Sequence, residues 1–284
     1  MSGPSEPTGP SEPNGLSAPG KPAAPIARAV GLVKLYASGR GASGARRHEI
    51  RAVDGLTLDI QPGRTTALVG ESGCGKSTTG RLLLALESPT AGHVEYGGVD
   101  LAGLGRAELR AFRRKAQVVF QDPFASLNPR QTVGSMLHEV LHVHRLAEGD
   151  AARSRVAALL DRVGLGSDVA ARYPHEFSGG QRQRIGIARA LSVEPEFIVL
   201  DEPVSALDVS VQAQILNLLR ELQADLQLTY LFISHDLGVV RHLADRVIVM
   251  RAGRIVEEGE ADDVLDRPRE AYTQELLAAV PKLP

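Results

Sequence analysis

Three short stretches of this 284-residue chain carry residue types that can handle phosphate. Gly70-Glu71-Ser72-Gly73-Cys74-Gly75-Lys76-Ser77-Thr78 fits G-x-x-x-x-G-K-[ST], after an apolar run and before a helical pattern. Gly73 and Gly75 let backbone N–H groups converge on phosphate oxygens, Lys76 reaches the β- and γ-phosphates, and the Ser77 hydroxyl is a Mg²⁺ ligand. ATP or GTP is the expected ligand. Phe197 to Leu200 is an apolar run ending in Asp201-Glu202, and such a strand can deliver adjacent acids only at its exposed C-terminal edge, where phosphates sit in sheets of this kind. Asp201 is placed to hold Mg²⁺ through its water shell, and Glu202 to accept a proton from the attacking water. Phe177-Ser178-Gly179-Gly180-Gln181 precedes the helical pattern Arg182 to Leu191, so its N–H groups and the helix dipole form a second anion site. Taken alone, Ser-Gly-Gly-Gln reads equally well as a turn and helix cap.

The elements that must position these residues follow from hydrophobic period. Val30 to Leu35 and the alternating Leu56, Leu58, Ile60 read as strands, with a Gly/Ser/Arg loop from Ser38 to Arg47 between them. Thr65 to Val69 is a short strand running into the Gly-rich turn and a helix through Leu86. Residues 107 to 191 read as mainly helical, interrupted by an extended segment at Gln117 to Phe120. Phe197 to Leu200 and Thr229 to Ser234, with helix 209 to 226 between them, suggest parallel strands. Val247 to Met250 and Arg254 to Val256 read as a hairpin around Gly253, and two short helices are expected near 261 to 280.

Composition narrows the function classes. Lys and Arg total 32 against 34 Asp and Glu, a formal net charge of −2, so charge alone implies no polyanion-binding surface and no nucleic-acid partner is expected. Apolar runs such as Leu82 to Leu86 fall far short of the roughly 18 to 20 residues of a membrane span. No secretory leader pattern is seen, and Cys74 is the only cysteine, so a cytosolic address without disulfides is expected. Residues 1 to 25 contain seven Pro, four Gly and four Ser and read as a disordered tail.

Together these motifs make the chain resemble the ATP-binding subunits of ABC transporters over about residues 28 to 259. The resemblance implies an α/β fold: a P-loop (RecA-like) ABC ATPase core spanning 26 to 259, with an antiparallel β subdomain and an inserted α-helical subdomain at about 123 to 187. Tyr36 matches the aromatic that stacks on adenine. Gln121 matches the Gln that touches Mg²⁺ or water and transmits nucleotide state, Ser178 to Gln181 match the signature, and Phe177 stands where Leu is commoner. Asp201 and Glu202 match the metal-binding acid and the base. Ser205-Ala206-Leu207-Asp208 matches the loop that crosses a dimer seam, and His235 the switch histidine on the γ-phosphate. Two such subunits stack head to tail in the family, the signature of one closing over the ATP of the other.

Phe120 to Pro129, Tyr173 to Ser178 and Glu202 to Ser210 look most like the oligopeptide/dipeptide importer branch. Segment 260 to 284 resembles that branch's C-terminal extension, except that Glu270-Ala271 stands where His-Pro precedes Tyr272. This implies ATP hydrolysis with Mg²⁺ at the cytoplasmic face of a membrane, beside two transmembrane permease subunits and a second ATPase, with a solute-binding protein acting indirectly. Rival readings are an importer of nickel, glutathione or another small solute, and a soluble ABC ATPase of DNA repair or translation. A signalling GTPase is disfavoured, since no Asn-Lys-x-Asp guanine clamp is present.

Two further signals read as structural. His138-Glu139-Val140-Leu141-His142 fits the zinc-protease pattern H-E-x-x-H, but His144 points elsewhere on a helix and a polar helix face is the expected role. Cys74 reads as a small buried filler; the alternative is a thiol made reactive by Lys76 and the helix N-terminus, whose alkylation would block ATP binding.

Overall fold

The computed structural model describes residues 24–38, 48–122 and 126–279. Most of the expected N-terminal tail, the Arg-bearing loop and Pro123 to Ala125 lie outside these residues. Strands β1 (Ala27–Ser38), β2 (His48–Ile60), β4 (Ala91–Tyr96) and β5 (Val99–Asp100) form an antiparallel sheet in the order β2-β1-β4-β5. The register pairs Ala27 with Ile60, Ala29 with Leu58 and Leu32 with Leu56, which puts all six on the buried face.

The second sheet runs β10-β9-β3-β8-β7-β6, built from β3 (Thr65–Val69), β6 (Ala116–Val119), β7 (Phe197–Asp201), β8 (Thr229–Ser234), β9 (Arg246–Arg251) and β10 (Arg254–Glu260). Its neighbours are parallel except the β9/β10 hairpin. Strands β3, β7 and β8 are buried along their whole length because both faces are covered. Ala67, Val69, Leu200, Tyr230, Phe232, Val247 and Val249 enter one core, with the helices. Leu68, Val199, Leu231, Ile233, Ile248 and Met250 enter the other, against the antiparallel sheet and the first helix.

Helix α1 (Lys76–Leu83) follows β3, and α2 (Arg106–Lys115) precedes β6. Between β6 and β7 come α3 (Val133–Val143), α4 (Gly149–Arg162) and α5 (Gly179–Leu191). The order closes with α6 (Val209–Leu226), α7 (Leu237–Leu243), α8 (Ala261–Asp266) and α9 (Ala271–Ala278). The side chains of Thr132, Ser178, Asp208 and Asp236 cap α3, α5, α6 and α7, each cap contributing about 1 kcal/mol.

The expected strands at 65 to 69 and 229 to 234 and the helix 209 to 226 have the bounds read from the sequence. The first helix is shorter than expected. It stops at Leu83 rather than Leu86 because Ala85 adopts a left-handed conformation, φ 48°, with Ala85 N–H bonded back to Leu82 O. Strand β4 was not anticipated from periodicity: its alternation is short and bounded by glycines, and its pairing with β1 is what makes it a strand.

Candidate nucleotide site

Parallel pairing sets Val69 beside Ser234 and Asp201 beside Ile233, so the loops after β3, β7 and β8 leave the sheet along one edge. The loop after β3 is shaped by contact as much as by local conformation. Gly70 has φ 148°, and a Cβ there would lie 2.2 Å from the carbonyl oxygen of Met250 on β9. Gly75 has φ 109°, and its Cβ would lie 2.1 Å from the carbonyl oxygen of Ala52 on β2. Both sheets therefore brace the loop, and neither position admits a side chain. The Gly253 turn adds a further tie, donating its N–H to Cys74 O at 2.9 Å.

Lys76 is 4% exposed, and its ammonium donates to the carbonyls of Gly70 at 2.7 Å and Glu71 at 2.9 Å. The charge is thus held over the loop rather than extended into solvent. Ser77 Oγ donates to Asp201 Oδ1 at 2.8 Å, which joins the start of α1 to the end of β7 across 124 positions. Burial pushes the Asp201 carboxyl above its ordinary range, and the Ser77 hydroxyl only partly opposes that shift.

Glu202 is the centre of a second constellation. Its backbone is left-handed, φ 48°, a conformation that costs a non-glycine residue about 1–2 kcal/mol, and its N–H is locked to Ile233 O at 3.0 Å. Glu202 Oε2 accepts from Gln121 Nε2 at 3.1 Å, and Oε1 lies 3.2 Å from His235 Nδ1. Two residues, 81 and 33 positions from Glu202 in the chain, thus share its carboxylate.

Tyr36 stands on β1 with its hydroxyl bonded to Glu87, and Glu87 also faces Lys34 Nζ at 3.3 Å and Arg81 at 3.5 Å. Burial and the Glu87 carboxylate raise the Tyr36 hydroxyl above its ordinary range, while the bond from Tyr36 holds Glu87 low. Glu87, which sequence reading passed over, is the anchor of this ring.

The Ser178 to Gln181 stretch makes its polar contacts locally. Ser178 Oγ accepts from Gln181 N–H at 3.3 Å and Gln181 Oε1 accepts from Ser178 N–H at 3.0 Å, a reciprocal cap at the start of α5. Gly180 is crowded by α6, where a Cβ would meet Val211 Cγ1 at 2.4 Å; at Gly179 it would meet only Leu207 Cδ2, in the turn before α6, at 3.2 Å. In the turn before α6, Ser205 Oγ donates to the backbone carbonyl of Glu202 at 3.1 Å and Asp208 caps α6 through Val211 N–H at 3.0 Å. That cap holds the Asp208 carboxyl below its ordinary range.

Cys74 is 7% exposed, and burial pushes its thiol up, outweighing the lowering by Lys76. Burial favours the buried-filler reading over the reactive thiol, since desolvation outweighs the neighbouring charge. Alkylation by iodoacetamide in the folded chain is expected to be at least about tenfold slower than in urea; equal rates by mass spectrometry would refute this. In the H-E-x-x-H stretch, Glu139 accepts from Gln131 Nε2 at 2.9 Å and His142 Nδ1 lies 3.4 Å from Glu148, both on the exposed surface of the helical layer.

The ABC transporter family model matches residues 53–205, more than half of the chain. The chain belongs to that family. This ABC ATPase is 54% identical over 237 residues to the oligopeptide transport ATP-binding protein OppF of Bacillus subtilis strain 168, covering 83% of this chain and 78% of that one. It is 48% identical over 260 residues to the dipeptide transport ATP-binding protein DppF of Haemophilus influenzae, covering 91% and 79%. The ATP-binding cassette MJ0796, solved as a dimer in a post-hydrolysis state with ADP and Pi, is 29% identical with a TM-score of 0.72, covering 83% of this chain and 99% of that chain. The RecA-like ABC fold and the ATPase activity expected from the motifs agree with these likenesses. No helix among the described residues of the ABC ATPase is long and apolar enough to cross a membrane.

Proposed function

We propose that this ABC ATPase is the subunit that binds and hydrolyses ATP to drive an importer of oligopeptides or dipeptides. The observation that carries the solute class is the identity of about half over most of both chains to proteins named for oligopeptide and dipeptide transport. The residues supply the chemistry. Lys76 and the N–H groups of the loop from Gly70 to Thr78 bind the phosphates, and Tyr36, held by Glu87, stacks on adenine. Glu202 takes the proton of the attacking water, with Gln121 and His235 orienting its carboxylate, and His235 faces the γ-phosphate.

Ser77 and Asp201 offer a hydroxyl and a buried carboxylate 2.8 Å apart, and Gln121 an amide oxygen: a hard-oxygen donor set that fits Mg²⁺. When bound, the ion neutralises charge on the β- and γ-phosphates. The Ser178 cap is exposed and makes no polar contact with Lys76 or Asp201 among those found in the described residues, which suits a role on a partner's nucleotide. Val209, beside Asp208 and 80% exposed, is apolar surface suited to the same seam. Two such chains, or this chain and a homologue, then sandwich ATP and engage two transmembrane permeases at the cytoplasmic face of the membrane.

Pull-down of the tagged chain from its native membranes in mild detergent is expected to recover two multispanning proteins and a second ATPase, with peptide-stimulated ATP hydrolysis once a solute-binding protein is added. Recovery of soluble or nucleic-acid partners alone would overturn the transport reading, and stimulation by nickel or glutathione instead of peptides would overturn the solute class.

A further inference from the structure

The C-terminal segment reaches the phosphate loop directly. Tyr272 on α9 is 6% exposed, and its hydroxyl oxygen accepts a hydrogen bond from Glu71 N–H at 3.2 Å across 201 positions. The Tyr272 ring is faced by the Arg251 guanidinium, 4.6 Å from its centroid, and Arg251 directly follows Met250, whose carbonyl packs against Gly70. The start of α9 is tied down separately. Glu257 on β10 accepts from Arg269 N–H at 2.8 Å and Glu270 N–H at 3.2 Å, so the backbone just before α9 hangs on one carboxylate.

Residue 71 is consequently held at both of its backbone groups. Tyr272 takes its N–H, and its carbonyl accepts from Lys76 Nζ at 2.9 Å. Glu71, Ser72 and Gly73 are otherwise exposed, and left-handed or positive-φ glycines flank them at Gly70, Gly73 and Gly75. Without the tyrosine, the Glu71 N–H loses its tie to the C-terminal segment in this exposed stretch of the loop.

We propose that α9 is a latch on the phosphate loop and that Tyr272 is a positioning residue for ATP binding, acting through the Glu71 peptide. The proposal rests on reading Gly70 to Thr78 as the loop that holds ATP phosphates. Tyr272 touches no substrate atom; it restrains the Gly70–Glu71 peptide, whose Gly70 carbonyl accepts from Lys76 Nζ at 2.7 Å. Releasing it leaves ATP to order the loop at its own expense, which weakens binding. Anything that lifts α9 from β10 lowers ATP affinity by the same route, and by reciprocity bound ATP holds α9 down.

The test uses the full chain with Tyr272→Phe, Glu257→Ala and the double variant, measuring ATP dissociation constants by calorimetry, KM and kcat for hydrolysis, and thermal midpoints. Tyr272→Phe keeps the buried ring and removes only the acceptor oxygen. It is expected to raise Kd and KM for ATP about fivefold, the order of one neutral hydrogen bond, with the effect falling on KM more than on kcat. Glu257→Ala is expected to act in the same direction, and the double variant to fall short of the product of the two, since both act through one latch. An unchanged Kd in Tyr272→Phe, with or without a lower thermal midpoint, overturns the latch. Lys76→Ala separates the two ideas: if it binds ATP as the parent does, the phosphate-loop reading itself fails, and the latch with it.

Discussion

Glu202→Gln is expected to lower kcat for ATP hydrolysis by about two to three orders of magnitude, the usual share of a general base, while ATP binding is retained. The substitution is nearly isosteric. A glutamine oxygen can still accept from Gln121 Nε2, now at 3.1 Å from the carboxylate, and its amide can face His235 Nδ1, so the local geometry survives. The side chain loses only its capacity to take a proton. The left-handed backbone of residue 202 is unaffected, because it is set by the bond from Glu202 N–H to Ile233 O. ATP that binds without being cleaved should then accumulate a closed dimer, visible by light scattering with ATP and absent with ADP. Hydrolysis at the parent rate would show that Glu202 is not the base.

Lys76→Ala is expected to weaken ATP binding by about two orders of magnitude or more. A charge-assisted hydrogen bond contributes about 1.5–3 kcal/mol, and the ammonium is placed to make more than one to the β- and γ-phosphates. Its present partners, the carbonyls of Gly70 and Glu71, show that the side chain already lies over the loop, so little conformational freedom is lost when phosphate arrives. Glu71 is exposed, so water can satisfy its carbonyl in the variant, and the fold is expected to persist. Equilibrium titration with a fluorescent ATP analogue checks the affinity, and the thermal midpoint checks the fold. A Kd within about threefold of the parent would remove Lys76 from the phosphate site.

Most of the chemistry was legible because it is carried by contiguous residues. The run from Gly70 to Thr78 specifies a turn, a cation and a hydroxyl within nine positions, and the run from Phe197 to Glu202 specifies a buried strand that delivers two acids to its C-terminal end, which the structure then buries. The central strands were legible for a related reason: a parallel strand covered on both faces needs no alternation, only a short apolar run. Strand β4 was missed because its residues become a strand only by pairing with β1. The end of α1 was misplaced because the left-handed Ala85, which carries no local signal, stops it.

The sequence by itself determined the family, the ATPase chemistry and the elements that carry the phosphate motifs, since each rests on residues close in the chain whose spacing is dictated by phosphate, helix and strand geometry. Only the tertiary structure decided which distant residues complete them. The carbonyls of Met250 and Ala52 that exclude any side chain at Gly70 and Gly75, the Glu87 carboxylate beneath Tyr36, and the Tyr272 hydroxyl on Glu71 come from other elements and have no sequence signature. Burial decided the state of Cys74 in the same way, because desolvation depends on what packs around a thiol and not on the charge two residues away.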